Sequence, residues 1–323
     1  MKKIKWYPII SVILVFSLAV VMCSCSNSVE EDNIAVVSTA ESLEEPEESE
    51  QSETYESSFE EISVIAKLDE LPDYISDNSE HYTKLLSNIL KLYYTGVING
   101  RIHSGNFVPQ RAKDVLPSEN DTAEKRKEYA DYCTIGGALE FYSTDSTDFN
   151  YYEIYNGCLP YFSNDKNGNI YITENISMDS VWQLTDYDET MRYVFKYCNP
   201  DKLEKEAMAF ISSEINSTCK NYYNGIKEGT IVKNSFAQQY THDTLPDQYT
   251  APEPRLGLAK HATIGGALEF IGKYRQFSIF INKLGIDSTG NIYPMSDKSK
   301  NDLKVISDTY LTMQEIYHIT ALQ

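Results

Sequence analysis

The sequence contains little histidine, little tryptophan and too few positive charges to balance its acids. Its 323 residues include five His and two Trp, and 28 Lys and Arg stand against 48 Asp and Glu, for a net charge of −20. A chain this acidic cannot neutralise a run of phosphates, which excludes nucleic acid as a partner. The His residues are scattered and form no cluster with Cys, which argues against a zinc enzyme. No G-x-S-x-G, H-E-x-x-H or P-loop motif occurs, so we predict a protein that is not an enzyme, with no catalytic residue, cofactor or metal.

Positive charge is missing altogether from one long segment. Residues 26–61 contain thirteen acids, no Lys or Arg, and few large apolar residues. Such a segment cannot bury enough apolar surface to fold, so we predict a disordered acidic tether over residues 25–66. Residues 62–323 carry a net charge of −10, and the acidity per residue is therefore highest in the tether. A calcium-binding or partner-binding role is the alternative to a solvated spacer.

The N-terminus has the pattern of an export signal. Three lysines among the first five residues precede a mostly apolar run from Trp6 to Met22, as in secretory signal peptides. The end of this run resembles a bacterial lipobox, with Met22 at −3 and the small Ser24 at −1 before Cys25. The resemblance implies a lipoprotein signal peptide over residues 1–24, lipidation of Cys25, and a lipid anchor on the extracytoplasmic face of the cell membrane, at the bacterial cell surface. An uncleaved signal anchor is the alternative.

The strongest pattern in the chain is an internal repeat. Residues 134–141 (T-I-G-G-A-L-E-F) recur unchanged as residues 263–270, at an offset of 129. Three further blocks match in the same order: Y-Y-x-G at Tyr93 and Tyr222, G-x-I at Gly100 and Gly229, and D-x-x-G-N-I-Y at Asp165 and Asp287. Four blocks in one order indicate two copies of one domain, which we predict over residues 67–198 and 199–323.

Each copy begins with a predicted long helix. In the second copy Asn199 can cap a helix, Pro200 suits its first position, and Gly229 suits the residue after its end. Apolar residues between these points recur at spacings of three and four, which indicates a helix with one buried face. The first copy shows the same pattern from Leu85 onward and closes at Gly100.

The rest of each copy predicts a smaller helix and a sheet. A polar, irregular loop follows the long helix, and then the Gly-Gly block has apolar residues at i, i+3, i+4 and i+7, which predicts a short helix. Its adjacent glycines suit close packing on the long helix. Strand-like residues 151–154 and 277–282, and strands on both sides of a Gly-Asn turn, predict a small antiparallel sheet. Each copy is therefore predicted to be α+β.

The repeated block supplies the residues that the two copies share most clearly, and we predict a structural role for them: Gly136, Gly137 and Glu140, with Gly265, Gly266 and Glu269. A catalytic pair of the two glutamates would need a common cleft, yet they occupy equivalent positions in separate copies. We expect each of them to be outward or locally hydrogen-bonded. The D-x-x-G-N segments resemble fragments of calcium loops, but each offers too few carboxylates, so hairpin turns are predicted there.

Four cysteines lie beyond the signal peptide. Cys133 and Cys158 both lack a counterpart in the second copy, and a joint absence is what a disulfide between them predicts. Cys198 and Cys219 would flank a helical stretch roughly 30 Å long, which is too far to bridge. Free thiols at all four positions are the alternative.

The layout of each copy resembles the head region of type IV pilins and type II secretion pseudopilins, particularly the variants from gut Firmicutes. The Y-Y-x-G helix end, the T-I-G-G-A-L-E-F block and the D-S-T-G-N-I-Y segment carry this resemblance, which covers both copies. The chain has neither a prepilin cleavage site before an F-T-x-x-E helix nor the apolar helix extension of a pilus core. The resemblance therefore implies a lipid-anchored tandem of pilin-like heads, a non-enzymatic surface, adhesion or secretion-apparatus component.

The 25 Tyr residues are an unusual excess. Tyrosine can bind a glycan or a protein by stacking, so a Tyr-rich surface with such a partner is one interpretation, and half-buried sheet positions are the other. Two alternative functions stay open. An extracellular hydrolase would need a cleft lined with acids from both copies, and a solute-binding lipoprotein would need βαβ alternation in two lobes.

Overall fold

Two long helices, one from each half of the chain, pack against each other. They are α2 (Ser79–Ile98) and α7 (Pro200–Glu228). The computed structural model describes residues 71–144, 150–173, 181–297 and 302–318, all of which belong to one compact unit. The predicted signal peptide, the lipidation site Cys25 and the tether lie outside the described residues.

The sequence determines both ends of α7 locally. Asn199 accepts a hydrogen bond from the Asp201 amide at 2.8 Å, and Pro200 occupies the first position. Gly229 ends the helix in the left-handed region with φ 81°, and Gly100 after α2 has φ 67°, a conformation that favours glycine. Both predicted long helices are confirmed, and the predicted ends of α7 are those observed.

From the long helix onward, the two halves contain the same elements in the same order. In the first half, α2 is preceded by the helical turn α1 (Asp73–Ser76) and followed by α3 (Ala123–Tyr132), α4 (Ile135–Ser143), α5 (Tyr151–Ile154), a 3₁₀ turn (Leu159–Tyr161), β1 (Phe162–Asp165), β2 (Ile170–Ile172), β3 (Val181–Gln183) and α6 (Met191–Val194). In the second half, α7 is followed by α8 (Pro252–His261), α9 (Ile264–Phe270), α10 (Tyr274–Ser278), a 3₁₀ turn (Ile281–Lys283), β4 (Leu284–Ile286), β5 (Ile292–Pro294), β6 (Lys304–Val305) and α11 (Met313–Tyr317). The protein is therefore of the mixed α+β class, and the short helices predicted for the Gly-Gly blocks are α4 and α9.

Each half contains a three-stranded antiparallel sheet. Strand β1 lies between β2 and β3, and β4 lies between β5 and β6. The hairpin turns hold Gly168 at φ 75° and Gly290 at φ 82°. In both turns an aspartate, Asp165 or Asp287, accepts hydrogen bonds from the amides two and four residues later, at 2.8 and 2.9 Å. The hairpins predicted at the D-x-x-G-N segments are confirmed.

Some of the predicted local structure is wrong. Residues 151–154, predicted as a strand, form α5, and residues 277–282 run from the end of α10 into the 3₁₀ turn that follows it. Aromatic side chains there, such as the fully buried Phe277, reach the core from helical turns, so packing overrides strand propensity. The predicted irregular loops also contain α3 and α8, whose mostly polar surfaces lack the apolar period that indicates a helix.

The halves also touch beyond the two long helices. Gln276 of α10 donates a hydrogen bond to the Phe141 carbonyl at 3.1 Å, and the Lys273 ammonium donates to the Tyr142 carbonyl. Both side chains are buried. The division into domains at residues 67–198 and 199–323 stays a prediction, which folding of the second half by itself would test.

Candidate functional site

The two repeated glutamates hold the loops that follow the long helices. Glu140 accepts hydrogen bonds from the Arg111 and Ala112 amides at 3.0 Å, and also from the Gln110 amide. Glu269 accepts from the amides of residues 239–241 and from the Thr241 hydroxyl. A carboxylate that accepts several amide hydrogen bonds has its lone pairs committed to the backbone. These are local contacts within each half, and they do not bring the two glutamates into one cleft.

The repeated glycines leave room for a buried carboxylate. A Cβ atom at Gly137 would overlap the carboxylate of Asp114 and would lie 2.9 Å from the hydroxyl of Tyr93 on α2. Gly266 stands in the same relation to Asp243 and Tyr222. The close approach that we expected at the Gly-Gly pair is therefore made by a loop aspartate together with a tyrosine of the long helix.

Asp114 and Asp243 are repeated acids that the sequence comparison missed. Asp114 accepts hydrogen bonds from the hydroxyls of Tyr93 at 2.9 Å and Thr134 at 2.7 Å, and Asp243 accepts from the equivalent pair at 3.2 and 2.9 Å. Burial raises the pKa of both carboxyls, while hydrogen bonds from Thr and Tyr oppose the rise. The two acids lie at the repeat offset of 129 residues, which is the pattern that could have identified them. Each acts inside its own half.

The four cysteines in the described part of the chain are free thiols. Cys133 is buried at the end of α3, and burial raises the pKa of its thiol. Cys158 lies at the start of a 3₁₀ turn, where its Sγ donates to the Asn156 carbonyl at 3.7 Å. Both thiols are free, so the predicted Cys133–Cys158 disulfide is not formed in this structure.

A groove lies between the two halves of the chain. Its volume is about 900 Å³, and its walls come from α2, α7, β2 and the aromatic residues Tyr142 and Tyr151. This volume is in the range of small-molecule sites. The residues that α7 contributes include Phe210, Ser213 and Glu214, and at the repeat offset these match the α2 residues His81, Lys84 and Leu85, which line the groove from the other side. The tandem arrangement therefore creates a cavity that requires both halves.

Three aromatic rings form one wall of the groove. The rings of Tyr142 and Tyr151 meet edge to face with centroids 4.9 Å apart, and the Phe210 ring lies 6.5 Å from that of Tyr142. Tyr151 and Phe210 are half-buried. The ammonium of Lys273 lies 4.0 Å from the centroid of Tyr142 and 4.9 Å from that of Tyr151. This cation–π contact fixes the two tyrosines in place from the second half of the chain.

The charged residues of the groove form two sets. In one set, the buried Lys91 donates to Glu206 at 2.8 Å and to Asn169 at 2.7 Å, so its charge is neutralised inside the protein. In the other set, Glu214 faces the groove near His81 and Lys84. No hydrogen bond or ion pair reaches the Glu214 carboxylate from the described residues. Burial raises the pKa of Glu214, and the electrostatic effect of the nearby His81 and Lys84 opposes the rise.

The sequence analysis did not identify Glu214. This acid occupies the position at which the first copy has Leu85, between the buried Ile211 and Ile215 of α7. An acid in the apolar stripe of one copy is the pattern that could have identified it. The sequence pattern alone does not assign a role to Glu214, because this residue faces a groove only where α7 lies beside α2.

The tyrosines divide between the core and the surface. Tyr93, Tyr155 and Tyr222 are fully buried. Other rings form stacked pairs at the surface, with centroids 4.4 to 5.1 Å apart: Tyr152 with Tyr187, Tyr240 with Tyr274, and Trp182 with Tyr197. Part of the tyrosine excess is therefore structural.

Comparisons of the chain with protein families, with curated proteins and with solved structures find no match. Over the described ranges, no three His, Cys, Asp or Glu side chains are grouped as ligands for a metal ion. In the same part of the chain, no helix combines the length and the apolar character needed to cross a bilayer. The groove between the halves is the feature on which a functional proposal can be built.

Proposed function

We propose that this chain is a lipid-anchored protein on the extracytoplasmic face of a bacterial membrane, in which two pilin-like α+β domains act as a non-enzymatic binding component in adhesion or secretion. The lysine-rich start, the apolar run and Cys25 support export and anchoring. The recurrence of one order of elements in both halves supports the tandem of like domains. An acidic tether would hold the compact part away from the membrane.

The observation that carries the binding role is the groove between the halves. Both halves line it, its aromatic wall is fixed by Lys273, and it contains a half-buried carboxylate with no protein partner among the described residues. A preformed, mostly apolar cavity with a few polar groups is the usual form of a ligand site.

A hydrolase is the second candidate, because acids from both halves line the same groove: Glu80 from α2, with Glu206 and Glu214 from α7. Glu206 is paired with Lys91. Glu206 and Glu214 stand eight residues apart on one helix, about 12 Å along its axis, whereas paired glycosidase carboxylates stand about 5–9.5 Å apart. The geometry of these two therefore favours binding over hydrolysis. The strand pairs in the described sheets are antiparallel, which does not support the βαβ lobes of a solute-binding protein.

A pair of serine variants tests the binding role. Ser213 and Ser217 are both exposed and one turn apart on α7, but Ser213 lines the groove and Ser217 does not. In a strain that lacks the protein, we expect the wild type and Ser217→Trp to restore attachment of cells to immobilised mucin or cell envelope. Ser213→Trp should fail, because its indole fills the groove.

The anchored state is checked in the same strains. All three proteins should appear in the membrane fraction, and Cys25→Ala should be released or remain unprocessed. Equal attachment by the two tryptophan variants would contradict the proposal, as would hydrolysis of an oligosaccharide substrate that stops in Ser213→Trp.

A further inference from the structure

We propose that the groove between the two halves binds a neutral oligosaccharide, with a sugar ring stacked on Phe210 and Tyr151 and its hydroxyls bonded to Glu214. This inference rests on the proposed binding function and names the class of ligand. It is carried by the groove's aromatic wall, by a carboxylate that takes no hydrogen bond from the described residues, and by the small net charge of the lining.

The aromatic wall offers apolar ring surface to a ligand. Phe210 and Tyr151 are half-buried and line the groove, while the fully buried positions that flank Phe210 on α7, Ala207 and Ile211, face the core. Phe210 thus presents a large apolar side chain toward a water-accessible cavity. The C–H face of a sugar ring is apolar and can cover such a ring without displacing polar groups.

The Glu214 carboxylate requires hydrogen-bond donors. It is only partly exposed and takes no hydrogen bond from the described residues, although burial of a charged group without partners is costly. An ionised carboxylate only accepts hydrogen bonds, and two adjacent hydroxyls of a sugar can donate to its two oxygens. Lys84 and His81, which face Glu214, offer donors to other hydroxyl oxygens of the same ligand.

The charges of the groove favour a neutral ligand over a charged one. Lys91 and Glu206 neutralise each other, which leaves Glu80 and Glu214 to face Lys84 and His81. A polyanion would also meet the net charge of −10 on residues 62–323. A polycation would meet Lys84 and the buried ammonium of Lys273 behind the aromatic wall. With His81 counted as neutral, the charged residues that line the groove leave a net charge of only −1, so the groove has no strong excess of either sign to hold a polyion.

The size of the groove fits more than one sugar ring. A volume of about 900 Å³ lies toward the upper end of small-molecule sites. The groove reaches from Ser79 near the start of α2 to Lys91, twelve residues along the helix or about 18 Å. A short oligosaccharide can therefore lie along it.

The test uses the compact part of the chain with its tether, residues 26–323, and defined probes. Neutral cello-, malto-, xylo- and N-acetylated chito-oligosaccharides of two to four sugars are titrated by calorimetry and by ligand-observed NMR. A galacturonate trimer and a fully deacetylated chitosan trimer serve as anionic and cationic probes. We expect at least one neutral series to bind and both charged probes to bind more weakly.

Matched variants tie the binding to the groove. Glu214→Gln and Phe210→Ala should each weaken binding about tenfold or more, because each removes a contact of the buried ligand. Glu119→Gln and Tyr132→Ala change an exposed acid and an exposed tyrosine away from the groove, and they should leave affinity unchanged. Circular dichroism excludes unfolded variants, and Ser213→Trp provides a groove variant at an exposed position that packing does not constrain.

The outcomes separate the ligand class from the function. Neutral binding that is lost in Glu214→Gln and in Ser213→Trp supports the inference. Stronger binding of a charged probe, or neutral binding that is equal in all variants, overturns it. If no sugar binds while cell attachment still requires an open groove, the ligand class is wrong and the binding function stands. If attachment does not depend on the groove either, both fall.

Discussion

At the scale of single residues, one glutamate in each half determines the path of a loop. Glu269 is buried and accepts hydrogen bonds from three amides and one hydroxyl, while Glu140 is half-buried and accepts from three amides. Removing either carboxylate leaves several donors without partners, and buried unpaired donors cost more than those that water can reach. The two sites are chemically alike and differ in burial.

We expect Glu269→Ala to lower the free energy of unfolding by about 3 kcal/mol, and Glu140→Ala by about half as much. Urea unfolding followed by circular dichroism measures both, with Glu119→Ala, an exposed loop acid, as the control. Equal losses at the two positions would contradict the assignment of the difference to burial.

A second residue-scale prediction concerns pH. Burial raises the pKa of Glu189 from 4.5 to about 7, although the Thr185 amide donates to its carboxylate at 2.8 Å. The folded protein therefore holds this proton more tightly than the unfolded chain does. The ionisation penalty is absent below about pH 4.5 and grows as the pH rises to about 7, so Glu189 lowers stability across that window.

Glu189→Gln removes the charge and keeps an acceptor for the Thr185 amide. Relative to the wild type, the variant should gain stability between pH 4.5 and 7, by up to about 3 kcal/mol. Urea midpoints measured from pH 4 to pH 8 give the difference, with Glu119→Gln as the control. A difference that does not change with pH would show that the carboxyl titrates at its ordinary value.

At the scale of elements, one glycine ends a helix and another lies inside a helix. Gly229 closes α7 with φ 81°, and a Cβ atom there would overlap the guanidinium of Arg255. Gly257 lies inside α8, and a Cβ atom there would have no neighbour within 4 Å. The same substitution should therefore have opposite effects.

Gly229→Ala should destabilise the protein by about 1–2 kcal/mol, because alanine disfavours the left-handed region and Arg255 must move. Gly257→Ala should stabilise it by about 0.5–1 kcal/mol, since alanine is the better helix former. Urea midpoints of the two variants against the wild type decide the signs. A stabilising Gly229→Ala would mean that the chain leaves α7 by another route.

The predictability of each element follows from whether its determinants are local. Asn199, Pro200 and Gly229 act within a turn of the helix ends that they fix, so the sequence predicted α7 correctly. The residues of α5 were misassigned because aromatic side chains suit both a strand and a half-buried helical turn. Glu214 was missed because the residues that surround it belong to α2, in the other copy of the repeat. Only the packing of α2 against α7 places Glu214 in a groove.

At the scale of the whole molecule, the question is whether the second half can fold without the first. Residues 199–323 include the complete helix α7 with its cap and a sheet, and their core residues include Tyr222, Phe277 and Leu284, none of which is exposed. A chain of this length exceeds the size at which one core becomes marginal. Against this, the buried Lys273 and Gln276 make their hydrogen bonds to carbonyls of the first half.

We therefore expect residues 199–323 alone to unfold cooperatively in urea, but at a lower midpoint than residues 62–323, because the contacts with the first half are lost. The slope of the transition should fall in proportion to the smaller surface that unfolding exposes. Limited proteolysis of the full protein should first cut within residues 26–61, where the sequence predicts no ordered partners. If the fragment shows no cooperative transition while residues 62–323 do, the two copies form one interlocked domain. The groove between α2 and α7 would then lie within a single domain and would not be a cleft between two independently folding domains.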